Sequence, residues 1–304
     1  MKKIISALFA VAVFISCTNQ SDELYKQGTA KLSAEDFKGA IAKFDSSILL
    51  NDKNINAYFN RGNAKFDIDD FEGCLADYDK VIALSGNQKI EAIVYFNRGD
   101  VYWELKKFDA ALQDYSKALE LRPNYDSALV GRGKTYLSMS DLVNGQADLE
   151  NSIKHDSLNA FAHYALADVY YDQKNFDAAI DQYSKAIALD GDEIEYFIDR
   201  GDSYYMVQNY EKSIADYTRA IELNPALPMP YVERGDALDD SGKSKEAIDD
   251  YNKAIEVDPG YAPAYYNRAV TRFNLKDKKN ACADFKKAEE LGSEIAHDYA
   301  SACK

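Results

Sequence analysis

The chain has 304 residues, with 36 Lys and Arg against 51 Asp and Glu, a formal charge of −15. So acidic a chain is a poor partner for nucleic acid, because neutralising phosphates takes clustered Lys and Arg. The surplus acid favours solubility and a cationic partner, and 23 Tyr against only 6 Pro suit helices packed through aromatic rings.

Met1-Lys2-Lys3 is a short basic leader, and Ile4 to Ile15 is a twelve-residue apolar run. Such a run is too short to span a bilayer and fits a signal-peptide core. It ends Phe14-Ile15-Ser16-Cys17, which resembles the lipobox of bacterial lipoproteins, with Phe14 where Leu is usual. The resemblance implies a signal peptide over 1–16, cleavage before Cys17 and a diacylglycerol on the Cys17 thiol. It also implies export and a lipid anchor in the bacterial cell envelope, with Thr18 in place of Asp favouring the outer membrane. Loss of Lys2 and Lys3 takes the formal charge to −17. A tether over 17–20 reaches about 15 Å at about 3.5 Å per residue.

Beyond the tether the chain repeats itself. Small residues stand at Gly28, Gly62, Gly99, Gly133, Ala167, Gly201, Gly235 and Ala269, at steps of 34, 37, 34, 34, 34, 34 and 34. Four residues before these anchors stand Leu24, Tyr58, Tyr95, Leu129, His163, Phe197, Tyr231 and Tyr265. Sixteen residues after them stand Phe44, Tyr78, Tyr115, Leu149, Tyr183, Tyr217, Tyr251 and Phe285. Small residues let two helices close while the large groups fill the gap. Pro123, Pro225 and Pro259 close their units, and Pro228 and Pro263 fall in first turns, where a missing N–H costs nothing.

This period and phrase resemble the tetratricopeptide repeat family. The resemblance implies an all-α, right-handed superhelical solenoid of eight helix-turn-helix repeats, 21–54, 55–91, 92–125, 126–159, 160–193, 194–227, 228–261 and 262–295, closed by a capping helix over 296–304. Three extra residues within Ser85–Ile90 are expected to offset the stacking of repeats two and three. Gly131 and Gly145, inside the helices of repeat four, are expected to make it the softest.

Two patterns bear on what joins the helices. One residue before the anchor stand Arg61, Arg98, Arg132, Arg200, Arg234 and Arg268; fifteen after it stand Asp77, Asp114, Asp148, Asp216, Asp250 and Asp284. The repeats that lack the Arg, with Gln27 and Leu166, also lack the Asp, with Lys43 and Gln182. An ion pair within each unit follows. Cys282 holds a position that is apolar in most repeats, and Cys303 is 34 residues past Ala269, so a Cys282–Cys303 disulfide is expected in an exported chain. Cys74 stands where other repeats carry Ala or Ser and reads as an inert substitute.

Chemistry-bearing motifs are missing from the sequence. It has no phosphate loop, no Gly-x-Ser-x-Gly elbow and no His-Glu-x-x-His, and His155, His163 and His297 share no metal spacing with a cysteine. No cofactor, metal or catalytic residue is assigned. The resemblance places a ligand groove along the first helices of the repeats. There the positions three before, one after and four after the anchor share a stripe. They read Phe96, Asp100, Trp103; Val130, Lys134, Leu137; Tyr164, Asp168, Tyr171; and Ile198, Asp202, Tyr205. The dicarboxylate clamp of chaperone-binding members needs basic groups in the groove, and the position three before the anchor is never basic. Repeats three, five and six combine the ring with the acid, so ligand binding is expected on Phe96, Asp100, Trp103, Tyr164, Asp168, Tyr171, Ile198, Asp202 and Tyr205. The expected function is a non-enzymatic scaffold holding a protein or peptide, cationic in character, at the envelope for assembly of a membrane complex. The alternative is a carbohydrate-binding lipoprotein whose groove rings stack on sugars.

Overall fold

A computed structural model of the chain describes residues 19–303, so the expected signal peptide over 1–16 and the expected lipid site at Cys17 lie outside the described residues. Among those residues there are 17 helices and no strand. Two compact units divide at Asp156 and Ser157. The first holds the pairs α1 (19–32) and α2 (Phe37–Leu50), α3 (Ile55–Phe66) and α4 (Phe71–Ser85), α5 (Gln88–Glu104) and α6 (Phe108–Leu121), and α7 (Asp126–Ser138) and α8 (Leu142–His155). The second holds α9 (Ala160–Asp172) and α10 (Phe176–Leu189), α11 (Ile194–Met206) and α12 (Tyr210–Leu223), α13 (Met229–Asp240) and α14 (Ser244–Val257), α15 (Ala262–Asn274) and α16 (Lys278–Glu290), then α17 (Glu294–Ala302). Each unit is a solenoid in which a pair packs on the pair that follows. No helix among the described residues is long and apolar enough to cross a membrane.

One device makes every turn within a pair. The first helix ends through a single residue of positive φ: Glu35, Asp69, Lys106, Ser140, Lys174, Gln208, Gly242 or Lys276. The next residue then donates its N–H to the carbonyl five back, as Asp70 does to Lys65 and Asn209 to Tyr204, which satisfies an orphan carbonyl of the helix end. In six pairs that same residue, Asp36, Asp70, Asp141, Asn175, Asn209 or Asp277, also caps the second helix through its side chain. One position thus closes one helix and opens the next.

The core repeats with the chain. The large group sixteen after the anchor is at most 2 % exposed in every unit, from Phe44 to Phe285. It lies against the small anchor: a Cβ added at Gly99 would stand 2.7 Å from the Tyr115 ring, and one at Gly201 would stand 2.8 Å from Tyr217. Either would force the helices apart.

Four details differ from the sequence reading. The extra residues of repeat three form an added turn at the start of α5, 17 residues long, after Gly86 (φ +53°) and the cap Asn87. Because the insertion is absorbed there, Arg98 and Tyr115 keep their usual partners. Gly131 and Gly145 serve close packing, since a Cβ would come within 2.8 Å of Tyr115 and 2.5 Å of Leu137 respectively. Residues 19 and 20, expected in the tether, are already helical. The last helix starts at Glu294 rather than 296, because Gly292 (φ +91°) ends α16 and Ser293 follows in extended backbone as the N-cap. Cys303 stands just past its end, disulfide-bonded to Cys282 with the Cα atoms 5.5 Å apart. Ala296 and Ala300 are buried there, and Tyr299 stacks on Phe285 at 4.9 Å.

Candidate functional site

Two hydrogen-bond systems repeat along the units and divide the polar residues between them. The first is the guanidinium fork. Arg61, Arg98, Arg132, Arg200, Arg234 and Arg268 each bind both oxygens of the Asp sixteen residues on, for example Arg200 Nε and Nη2 to Asp216 at 2.8 and 2.7 Å. The remaining Nη1 reaches the second helix of the preceding repeat, at Asp45, Asp79, Ser116, Ser184, Thr218 or Asn252. Each Arg therefore ties three helices through a bidentate, charge-assisted contact. In repeat five, which lacks the pair, the buried His163 meets Gln182 at 2.7 Å instead. Burial pushes the lone free thiol among the described residues, Cys74, up to about 12.

The second system belongs to the groove stripe. The buried Tyr of each second helix reaches past the small anchor and donates its hydroxyl to the residue just after it. Tyr78 meets Asn63, Tyr115 meets Asp100, Tyr183 meets Asp168, Tyr217 meets Asp202 and Tyr251 meets Asp236, all within 2.7 Å. Where the second helix carries Phe44, Leu149 or Phe285, the position after the anchor is Thr29, Lys134 or Val270, and none is an acid. The acids of the stripe are thus partners of the core tyrosines, a role the sequence reading did not assign them.

The expected groove residues separate accordingly. Asp100 and Trp103 line one hollow of the first unit, about 260 Å³, with Phe66, Tyr115 and Lys134. Tyr164, Asp168, Tyr171 and Asp202 come together in a hollow of about 330 Å³ in the second unit, and Tyr205 lines the next one with Asp236. Two residues do not belong. Ile198 is 7 % exposed and packs with Phe197, Tyr217 and Ala237, and Phe96 packs on Tyr115 and Tyr125. The position three before the anchor packs on the following pair, and Tyr164, which stacks on Tyr196 at 4.7 Å, does so while also lining its hollow.

Two residues of the site escaped the sequence reading. Asp199 and Glu233, both two before an anchor, are coupled electrostatically to acids of the preceding repeat: Asp199 raises Asp168, and Asp202 raises Glu233. The signal was present in the sequence as Asn60, Asn97, Asp199, Glu233 and Asn267, polar residues at one register position. Burial, with neighbouring acids adding to it, raises Asp168 and Glu233 to about 7 and Asp199 and Asp236 to about 6, and burial raises Asp202 as well. The groups that shift Asp168, Asp199, Asp202 and Glu233 are acids and phenols. The first unit differs. The Lys134 ammonium stands 4.7 Å from the centre of the Trp103 ring and draws down the carboxyl of Asp100, which burial still holds at about 6. No group of His, Cys, Asp and Glu among the described residues is arranged to hold a metal ion.

Sequence-family models described as tetratricopeptide repeat match residues 92–125 and 262–291, and one described as TPR repeat matches 167–208, 201–242 and 235–276. No curated protein matches the chain. Among solved structures, the C-terminal part of a TPR repeat-containing protein from Cytophaga hutchinsonii is similar at 21 % identity and TM-score 0.64, over 79 % of this chain and 98 % of that one. MamA is similar at 27 % identity and TM-score 0.53, over 57 % and 94 %. YrrB, described as a TPR protein with an unusual peptide-binding site, is similar at 23 % identity and TM-score 0.53, over 62 % and 97 %.

Proposed function

The chain belongs to the tetratricopeptide repeat family, and on that premise we propose that it is a non-enzymatic scaffold holding a cationic segment of a protein partner. One observation carries the cationic character. In the first unit the ring of Trp103 and the carboxyl of Asp100 already receive a lysine, Lys134, which stands just after the anchor of the following repeat. In the second unit Tyr171 and Asp168 hold the same register as Trp103 and Asp100, while the residue in the register of Lys134 is an acid, Asp202. A partner's Lys or Arg supplies there what Lys134 supplies internally, a cation between a ring face and carboxylates. Repeat three is thereby neutralised from within, and binding centres on repeats five and six.

The scaffold works at the bacterial envelope, exported and carried by a lipid on Cys17, most simply at the outer membrane. Calorimetric titration of the purified chain with tetralysine tests the reading. Affinity falls at least tenfold between about 50 and 500 mM salt, because exposed charge pairs are screened over a few ångströms at high salt. A partner bound with no salt dependence, or tight binding of a neutral oligosaccharide alone, counts against the cationic segment and favours sugar stacking on the groove rings.

A further inference from the structure

In the second unit three junctions between repeats pose one structural problem. The carboxyl just after one anchor meets the residue two before the next, and both are drawn out of water. At Asp236 the problem is solved by an amide: Asn267 Nδ2 donates to both oxygens, at 2.9 and 2.8 Å. At the other two junctions the register of Asn267 is taken by an acid: Asp199, which lines one hollow with Asp168 and Asp202, and Glu233, two before the anchor that follows Asp202. Three hydroxyls are spent on these acids: Tyr183 serves Asp168, Tyr164 serves Asp199 and Tyr217 serves Asp202. Glu233 has no hydrogen-bond partner at all among the described residues. Two carboxylates in one half-buried place cannot both ionise cheaply. We propose that the acid-on-acid junctions Asp168–Asp199 and Asp202–Glu233 form a proton-operated switch, protonated on mild acidification and ionised, hence receptive to a cation, on the alkaline side.

The groups facing the switch from each packed helix are of one kind. They are Tyr164, Tyr171 and Asp172 on α9, Tyr183 on α10, Glu195 on α11, Tyr217 on α12, Asp236 on α13 and Tyr261 just before α15; Asp236 in turn feels Asp239 and Asp240 beside it and Tyr251 on α14. All are acids or phenols: the phenol hydrogen bonds draw Asp168, Asp199 and Asp202 down, and burial outweighs them. Burial and this mutual repulsion raise Asp168 and Glu233 to about 7 and Asp199 to about 6. The folded chain therefore binds more protons than the unfolded chain between the ordinary carboxylate range and those values. Stability from these groups is complete below about pH 4 and is lost as pH rises through about 6 to 7. A cation entering the hollow favours the ionised form, so its binding expels protons. This last step rests on the cationic reading above; the proton uptake does not.

The test uses the full chain, first without ligand. Protonated carboxyls give a carbonyl band in the infrared. We expect that band near pH 6, shrinking towards pH 8, and reduced in Glu233→Gln, which puts an amide at this junction as Asn267 does at the next. The thermal midpoint of the wild type falls from pH 5.5 to 7.5 more steeply than that of Glu233→Gln, and the variant melts about 2–4 °C higher at pH 7.5. An Asp199→Asn chain repeats the comparison at the other junction. Parallel pH profiles in wild type and both variants, with no change in the band, overturn the proposal. Tetralysine titrated in two buffers of different ionisation enthalpy then reads proton release directly. Binding with no proton release overturns the switch while leaving the cationic reading intact. Intact carboxyl titration with no tetralysine binding overturns the cationic reading and, with it, the receptive half of the switch.

Discussion

Each Arg fork joins its own two helices and the preceding one, and its Asp is nearly buried, with the Asp216 side chain 8 % and the Arg200 side chain 18 % exposed. Removing one partner strands the other in a desolvated place. Asp216→Ala should therefore cost about 2–3 kcal/mol, less than a fully buried pair because the guanidinium edge is still wet. A double-mutant cycle on Arg200 and Asp216 should return a coupling of at least about 1 kcal/mol, measured by denaturant unfolding. Additive single losses would show that the fork adds nothing. This contact was legible in the sequence, because the two repeats without the Arg are the two without the Asp. The Tyr-to-Asp contact is legible by a similar covariation, broken once, where Tyr78 meets Asn63. The helical wheel places these acids on the groove stripe and does not reveal the contact. A wheel gives the direction of Asp168 but not that the Tyr183 ring, slipping past the small anchor Ala167, brings its hydroxyl up to it.

Among the elements, period and anchor positions place all eight helix pairs, whereas helix ends depend on local backbone that apolar spacing does not encode. The added turn of α5 and the early start of α17 are both set by a positive-φ glycine, Gly86 or Gly292, followed by an N-cap, Asn87 or Ser293. The turn within each pair is more demanding, since seven of the eight left-handed residues are not glycine. A side chain in that region costs roughly 1–2 kcal/mol, while glycine loses more freedom on folding, by about 0.4–1 kcal/mol. The left-handed strain wins where the side chain makes no contact of its own. Gln208 (φ 58°) is exposed, and only its backbone is used, donating to the Tyr205 carbonyl. Gln208→Gly should raise stability by about 0.5–1 kcal/mol, read as a higher denaturant midpoint at unchanged slope. A loss of similar size would mean that the turn is not strained.

At the scale of the whole chain, the acid excess is unevenly shared. Residues 157–304 hold 28 acidic and 17 basic residues, so −11 of the formal −15 lies in the second unit. The forks there tie Arg200, Arg234 and Arg268 to Asp216, Asp250 and Asp284, while the groups that shift Asp168, Asp199, Asp202 and Glu233 are acids and phenols. In the first unit the stripe is milder: Asn63 stands in the place of an acid, and Lys134 answers Asp100. A cationic partner should therefore discriminate between two units built on one repeat. Ligand bound to the folded form alone lowers the population of locally opened states, and amide exchange reports where. With saturating tetralysine at low salt, exchange should slow in α9, α11 and α13 and stay unchanged in α3, α5 and α7. Raising the salt to about 0.5 M, where the screening length is a few ångströms, should erase the difference. Equal protection in both units would mean that the peptide answers to net charge alone. Protection confined to α5 and α7 would place the partner at Trp103 after all, with Lys134 displaced.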